Sequence, residues 1–221
     1  MQGQQAEVAW SGGVPVAARF DDPYFSLQGG AAETAHVFLA GNDLPRRFAP
    51  GFAIAETGFG TGLNLLVTLR AWAEAGTPGT FSFTSFEAFP LAPEDLARAH
   101  AAFPELAEEA SALRAALASP GPWQIGPARL TVIEGDARRT LPAWAGRADA
   151  WFLDGFSPAK NPELWEPALL AEVARHTAPG GSFATYTAAG HVRRALEEAG
   201  FTVTRRPGFG RKRHMSSGWL G

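Results

Sequence analysis

The sequence predicts an α/β fold: a doubly wound, seven-stranded sheet with helices on both faces and an N-terminal hairpin and helix laid over it. Three observations predict it. From residue 52 onward, short apolar runs of strand length alternate with helical patterns. The first run reaches an acidic residue, passes three glycines at alternate positions (Glu56-Thr-Gly58-Phe59-Gly60-Thr-Gly62) and opens straight into a helical pattern. The last two runs, about 201–206 and 212–219, flank Pro207-Gly208-Phe209-Gly210 as a closing antiparallel pair.

At 221 residues one domain is expected, with 1–50 as a cap and 51–221 as the core. A net charge of −3 with 19% charged residues describes an ordinary soluble chain. No run approaches the roughly 18 apolar residues of a membrane span, so no membrane partner is expected. The N-terminus lacks the basic-then-apolar pattern of a signal peptide, and a cytoplasmic enzyme fits. With no cysteine, disulfides, thiolate catalysis and cysteine-ligated zinc are excluded. His36, His100, His176, His191 and His214 are scattered without ligand spacing, so no metal is expected.

Taken in order, Val8-Ala-Trp10 and Val14-Pro-Val16 flank Ser11-Gly12-Gly13, the signature of a small hairpin over 6–20. A loop carrying Tyr24 and Phe25 follows, then a helix from about Ala31 to Ala40 with Ala32, Ala35, His36 and Leu39 near one face. Strand one covers 52–56 and helix one 61–75, ended by Gly76 and Pro78. Strand two alternates strictly over 81–87 and ends in Glu87. Residues 93–117 are helical, interrupted by Pro104, which suits the first position of a second helix. Strand three, 129–133, runs into Glu134-Gly135-Asp136. Strand four, 148–153, is a buried central strand that runs into Asp154, and Asn161-Pro162 suits a helix start. A helix over about 167–176, strand five over 181–187 and an amphipathic helix over 190–199 lead to the closing pair.

In a parallel sheet of this kind the ligand lies at the carboxyl ends of the strands, after strands one to four. Glycines at 58, 60 and 62 let the backbone turn sharply and lie against a ligand, and the freed N–H groups and helix N-terminus supply donors and positive potential. The dinucleotide fingerprint G-x-G-x-x-G fails at Leu63, which argues against an NAD-dependent oxidoreductase. The string E-x-G-x-G-x-G resembles motif I of class I S-adenosylmethionine methyltransferases, and that resemblance implies a Rossmann-like fold and S-adenosyl-L-methionine as cofactor. Glu87 stands 25 residues after Gly62, near the ~20-residue spacing at which an acidic side chain meets ribose hydroxyls. Asp136, at the end of strand three, is the candidate adenine contact that the methyltransferase resemblance implies.

Asp154 is the candidate catalytic residue: it leaves the sheet at the carboxyl edge beside the glycine turn, and a loop stiffened by Pro158 and Pro162 follows. Charge is uneven. Residues 191–214 hold Arg193, Arg194, Arg205, Arg206, Arg211, Lys212 and Arg213 against Glu197 and Glu198, a surplus of five that suits a phosphate backbone.

Longer strings resemble one family more closely. Tyr24-Phe-Ser, Ala32-Glu33-Thr34, Val37-Phe-Leu-Ala-Gly-Asn42-Asp-Leu, Glu56 through Asn64, Phe86-Glu87, Asp154-Gly-Phe156-Ser-Pro158-Ala-Lys160-Asn-Pro and Gly208-Phe-Gly-Arg211-Lys212-Arg213 are similar to the methyltransferase domain of MnmC-type tRNA-modifying enzymes. The resemblance implies N-methylation of 5-aminomethyl-(2-thio)uridine at the wobble position of a tRNA anticodon loop. It implies cofactor contacts at Glu56, Gly58, Phe59, Gly60, Gly62, Asn64, Glu87 and Asp136, with Glu33 and Asn42 near the same pocket. Substrate contacts are expected at Tyr24, Phe25, Phe156 and Pro158, and phosphate contacts at Lys160, Arg193, Arg194, Arg211, Lys212 and Arg213. Bifunctional members continue into a flavin-dependent oxidase domain. This chain closes shortly after Trp219, so the resemblance is to a stand-alone form whose aminomethyl substrate comes from another enzyme. A small-molecule amine methyltransferase and a non-catalytic RNA-binding module remain as alternatives; the first leaves the basic segment unexplained, and the intact acids Glu56, Glu87, Asp136 and Asp154 speak against the second.

Overall fold

The computed structural model describes residues 5–26 and 29–221. Strands β1 (Val8–Ser11), β2 (Val14–Ala17) and β3 (Asp22–Pro23) form a small antiparallel sheet in that order. Helix α1 (Gly30–Thr34) continues through a π-helical turn over Ala35–Leu39 and a 3-10 turn over Ala40–Asn42. The wider turn changes the phase expected for a regular helix. Thr34, Val37, Phe38 and Leu39 are buried, whereas Ala32 is exposed and His36 is half-buried, so the expected face is corrected.

The core follows as β4 (Ala53–Thr57), α2 (Leu63–Glu74), β5 (Phe81–Glu87), α3 (Pro93–His100), α4 (Ala107–Leu117), β6 (Trp123–Ile125) and β7 (Ala128–Glu134). It continues with α5 (Ala137–Thr140), β8 (Ala148–Phe152), α6 (Pro167–Arg175), β9 (Thr177–Thr185), α7 (Gly190–Glu198), β10 (Phe201–Pro207) and β11 (His214–Leu220). These strands build one sheet in the order β10-β11-β9-β8-β4-β5-β7-β6. Pairs among β9, β8, β4, β5 and β7 are parallel; β6, β10 and β11 are antiparallel to their neighbours. The sheet thus has eight strands and not seven. The addition, β6, is three residues pairing Trp123–Ile125 with Ala128–Leu130, too short to give a periodic signal.

Two apolar clusters cover the sheet faces. One joins Val37, Phe38 and Leu39 to α2 and to Ile54, Phe83 and Phe152; the other packs α6 and α7 on Trp151, Leu153 and Phe183. Helix α2 is buried on nearly every side, including Asn64 and Thr68. A helix that deep needs its polar side chains satisfied. Thr68 Oγ1 donates to the Asn64 carbonyl at 2.7 Å, and the Asn64 amide reaches forward into the site.

Asn42, expected near the cofactor, is fully buried away from the cleft. Its Nδ2 donates to the carbonyls of Phe38 (3.0 Å) and Trp151 (3.2 Å), its Oδ1 accepts from Ser182 Oγ at 2.6 Å, and Arg47 Nη1 donates to its carbonyl at 3.0 Å. A side chain with every group engaged inside the protein ties the cap to the sheet, and the expectation of cofactor contact is corrected.

Candidate active site

The turn between β4 and α2 forms the floor of the site. Gly58, Gly60 and Gly62 all have positive φ (88°, 51° and 73°), a region that costs side-chain-bearing residues strain. Space adds a second constraint. A Cβ on Gly60 would stand 3.2 Å from the Tyr24 ring, and one on Gly62 would meet Leu113 and Phe59 at 2.9 Å. The turn is braced from behind by His100, whose Nε2 lies 2.8 Å from the Thr61 carbonyl while Arg114 Nη1 lies 3.0 Å from its Nδ1. The arginine can only donate, so Nδ1 accepts and Nε2 carries the proton. Burial, with Arg114 beside it, lowers the His100 pKa, and the ring stays neutral.

Three acids sit against this turn. Glu87 Oε2 accepts from Gly60 N at 2.9 Å and its Oε1 from Phe89 N at 2.7 Å. Burial raises its pKa, and the backbone N–H groups offset part of that rise. Each carboxylate oxygen has two acceptor positions, so Glu87 keeps capacity toward the cavity it lines. Glu56 is fully buried under the turn, with Oε1 unpartnered. Desolvation pushes its pKa well above the carboxylate range, against the hydrogen bond from Asn64. Asp154 is half-buried, and burial lifts its pKa from 3.8 to about 6, partly offset by hydrogen bonds from Asn64 and Gly155 N.

Asn64 connects two of these acids. Its Nδ2 donates to Glu56 Oε2 at 3.0 Å and to Asp154 Oδ2 at 2.8 Å, and its Oδ1 accepts from Thr34 Oγ1 at 3.1 Å. Only one orientation of the amide meets all three partners. Asp154 is fixed further: Gly155 N donates to its Oδ1 at 2.8 Å, and Thr57 Oγ1 donates to its carbonyl at 2.8 Å. The candidate catalytic residue therefore enters the cleft on a rigid mount.

A single cavity of about 1100 Å³ runs along the carboxyl ends of the strands, enough for a nucleotide-sized cofactor and a second ligand. Of the residues singled out in the sequence, Tyr24, Phe25, Glu33, Gly58, Phe59, Gly60, Asn64, Glu87, Asp136, Asp154, Phe156, Lys160, Arg211 and Lys212 line it. Glu56 and Gly62 lie behind the wall and support it, correcting the expectation of direct contact. Pro158, Arg193, Arg194 and Arg213 are also outside the wall; Arg194 and Arg213 are exposed. Asp136 caps α5 by accepting from Arg138 N at 2.9 Å, and its side chain pairs with the Arg138 guanidinium at 2.6 Å, which lowers the Asp136 pKa. Lys160 is turned back onto Asp21 and Asp22, 3.5 Å from Asp22 Oδ1, and Ser157 N donates to Asp22 Oδ2 at 2.8 Å.

Several cleft residues went unnoticed in the sequence. Phe20 stacks on Phe156 at 4.7 Å and meets Phe89 edge-on at 5.9 Å, with the Arg19 guanidinium 4.8 Å from the Phe89 centroid. Tyr24 meets Phe156 edge-on at 5.2 Å. Tyr186 closes the opposite side and donates to the Gly155 carbonyl at 2.8 Å. Burial and nearby carboxylates raise the pKa of both phenols, so both stay protonated. Tyr186 carried a usable signal: the chain has two tyrosines, and the second sits at the end of strand five, on the ligand edge.

A glycine turn capping α2, an acid on it from β5 and a further acid at the tip of β8 define a nucleotide-cofactor methyltransferase site on a Rossmann-like sheet. A family model described as S-adenosyl-L-methionine-dependent methyltransferase matches residues 108–221, and the chain belongs to that family. The "tRNA 5-methylaminomethyl-2-thiouridine biosynthesis bifunctional protein MnmC" of Chromobacterium violaceum is 48% identical over 233 residues, covering 100% of this chain and 35% of its own length. That of Hahella chejuensis is 47% identical, covering 99% and 37%. The chain thus spans about a third of these curated relatives. The crystal structure of MnmC2 from Aquifex aeolicus superposes with a TM-score of 0.75 at 27% identity, over 99% of this chain and 72% of that one.

The site fits the family's cofactor. The N-terminus of α2 and the N–H groups of the turn suit a carboxylate, and Glu87, at the end of β5, keeps acceptor capacity toward the cavity for hydroxyl donors. Among the described residues, no group of three His, Asp or Glu side chains is placed to hold a metal, and no helix is long and apolar enough to cross a membrane.

Proposed function

We propose that this chain methylates the primary amine of 5-aminomethyl-(2-thio)uridine at the wobble position of a tRNA anticodon loop, giving the methylaminomethyl nucleoside. The single observation that carries this reading is the placement of Asp154: a carboxylate on a rigid mount, half-open to the same cavity that the glycine turn lines. The names of the relatives that match nearly the whole chain supply the substrate.

S-adenosyl-L-methionine, when bound, supplies a methyl already activated on a sulfonium, so the protein's task is alignment. Asp154, aimed by Asn64 and Gly155 N, accepts a hydrogen bond from the acceptor amine and stabilises the positive charge that nitrogen gains as its lone pair forms the new N–C bond; the methyl's bond to sulfur breaks with its electron pair left on a neutral thioether, and the product ammonium loses its proton to solvent. Phe156, Phe20 and Tyr24 offer ring faces and edges to a base drawn out of the anticodon loop, where bases are unpaired and can be splayed into a pocket. Arg211 on the rim supports phosphate binding, as do the more distant Arg193, Arg194 and Arg213.

The test uses labelled S-adenosyl-L-methionine and tRNA from cells lacking this activity, followed by nucleoside analysis. Label in the methylaminomethyl nucleoside is expected, with Asp154→Ala reducing the rate at least a hundredfold. Label in another nucleoside, or in none, overturns the substrate assignment.

A further inference from the structure

Four residues from four parts of the chain form a continuous path to the Asp154 carboxylate. Glu33, on α1, accepts from Lys212 Nζ at 2.8 Å. That ammonium lies 4.3 Å from the centre of the Tyr186 ring. Tyr186 donates to the Gly155 carbonyl at 2.8 Å, and Gly155 N donates to Asp154 Oδ1 at 2.8 Å. All five residues line the one cavity. The loop that carries Lys212 is held in place. His36 lies 3.1 Å from the Pro207 carbonyl, and its ring is 5.8 Å from that of Phe209; Gly208 N donates to Arg213 O at 3.2 Å. Arg211, Lys212 and Arg213 are all exposed, and of the three it is Lys212 whose ammonium meets Glu33 and the Tyr186 ring.

We propose that Lys212 is a positioning residue for the methyl acceptor: clamped by Glu33 over Tyr186, its ammonium sets the charge of the subsite beside Asp154 so that the acceptor amine enters uncharged. The inference rests on the amine methyl transfer proposed above. An alkyl amine with pKa near ~10.4 arrives protonated and has no lone pair to donate. Asp154 alone favours that unreactive form, because a carboxylate stabilises a neighbouring ammonium. A second cation in the same cavity opposes it. Lys212 and Glu33 act on Asp154 in opposite senses, the lysine lowering its pKa and the glutamate raising it. The other groups facing Asp154 are the Asn64 amide, the buried Glu56 behind it and the protonated Tyr186, none of which is a cation. Lys212 is therefore the positive charge that tunes this subsite, and Glu33 fixes where it stands.

The experiment has two arms on the full chain. In the first, kcat/KM on aminomethyl-containing tRNA is followed from pH 6 to 10 for wild type, Lys212→Met, Lys212→Arg and Glu33→Gln. Lys212→Met is expected to move the rising limb up by about one unit, to lose about tenfold in rate at pH 7 and to regain most of it near pH 9. Lys212→Arg restores the wild-type limb, and Glu33→Gln moves the limb the other way. In the second arm, carbon NMR of the Asp154 carboxyl is titrated in the RNA-free protein, where Lys212→Met is expected to raise the midpoint. A higher KM for tRNA with an unmoved limb makes Lys212 a phosphate contact and overturns the proposal, as does an Asp154 midpoint that ignores the lysine. If the wild-type protein leaves aminomethyluridine unmethylated, the proposed function falls, and the carboxyl titration still decides whether Lys212 governs Asp154.

Discussion

The floor and the rim of the cleft are built from different interactions. On the floor, Glu56, Asn64, Glu87 and Asp154 are joined by backbone N–H groups and one amide at 2.7–3.0 Å, deep enough for burial to raise the pKa of all three acids. The rim is made of ring contacts and ion pairs. Its pairs, Lys212 with Glu33 and Lys160 with Asp21 and Asp22, leave 48% and 38% of the lysine side chains exposed. Exposed ion pairs contribute about 0–1 kcal/mol, whereas a buried carboxylate that loses its donor costs about 1–3 kcal/mol or more. For the function proposed above, in which one small cofactor is held and a large macromolecule admitted, a fixed floor and a yielding rim are an advantage.

The largest expected effect breaks the floor. Asn64→Ala removes the donors to Glu56 and Asp154 and the acceptor for Thr34 in one step. Activity is expected to fall a hundredfold or more, the thermal shift on adding cofactor to shrink, and the acid limb of the rate profile to rise, since the Asn64 hydrogen bond holds the Asp154 pKa down. A variant that keeps wild-type cofactor binding and loses only affinity for tRNA would erase the distinction between floor and rim.

Phe156→Ala addresses the rim. It removes the ring that stacks on Phe20 at 4.7 Å and meets Tyr24 at 5.2 Å, while the bonds around the glycine turn remain. Base–aromatic stacking is worth about 1–3 kcal/mol per base, so KM for tRNA is expected to rise roughly tenfold, with the cofactor dissociation constant within twofold of wild type. Isothermal titration with cofactor alone separates the two quantities.

The same division explains what could be read from the sequence. The floor is local: the acid, the glycines and Asn64 lie within nine consecutive residues, and Glu87 and Asp154 each end an apolar strand, so periodicity and spacing placed them. The rim joins residues far apart in the chain. Lys212 and Glu33 are 179 positions apart, and Ser157 and Asp22 are 135 apart; no local pattern encodes such meetings. Lys212 read as one more cation in a basic run, although its partner is an acid inside the cleft. Asn42 failed in the opposite direction. It sits in a family-like string and was expected at the pocket, yet the string serves a buried polar knot with Arg47 and Ser182. Strand β6 and the π-helical turn were missed because three residues and a single wider turn are too short to carry a period.

The smallest expected effect concerns what the floor costs. Asp154 has its pKa raised from 3.8 to about 6 in the folded protein. Between those values the folded state binds more protons than the unfolded chain, so this group's contribution to stability falls as pH rises and levels off above about 6. The shift of about two units corresponds to at most about 3 kcal/mol, and less is expected because the carboxylate is open to the cleft. Asp154→Asn removes the charge. Its amide cannot satisfy both the Asn64 and the Gly155 donors, which imposes a loss independent of pH. The expected signature is therefore a slope: the melting temperature of the variant relative to wild type climbs by a few degrees between pH 4 and pH 7, then stays level. Parallel melting curves for the two proteins across that window would mean that Asp154 carries its charge at no cost, and the floor would then be no more strained than the rim.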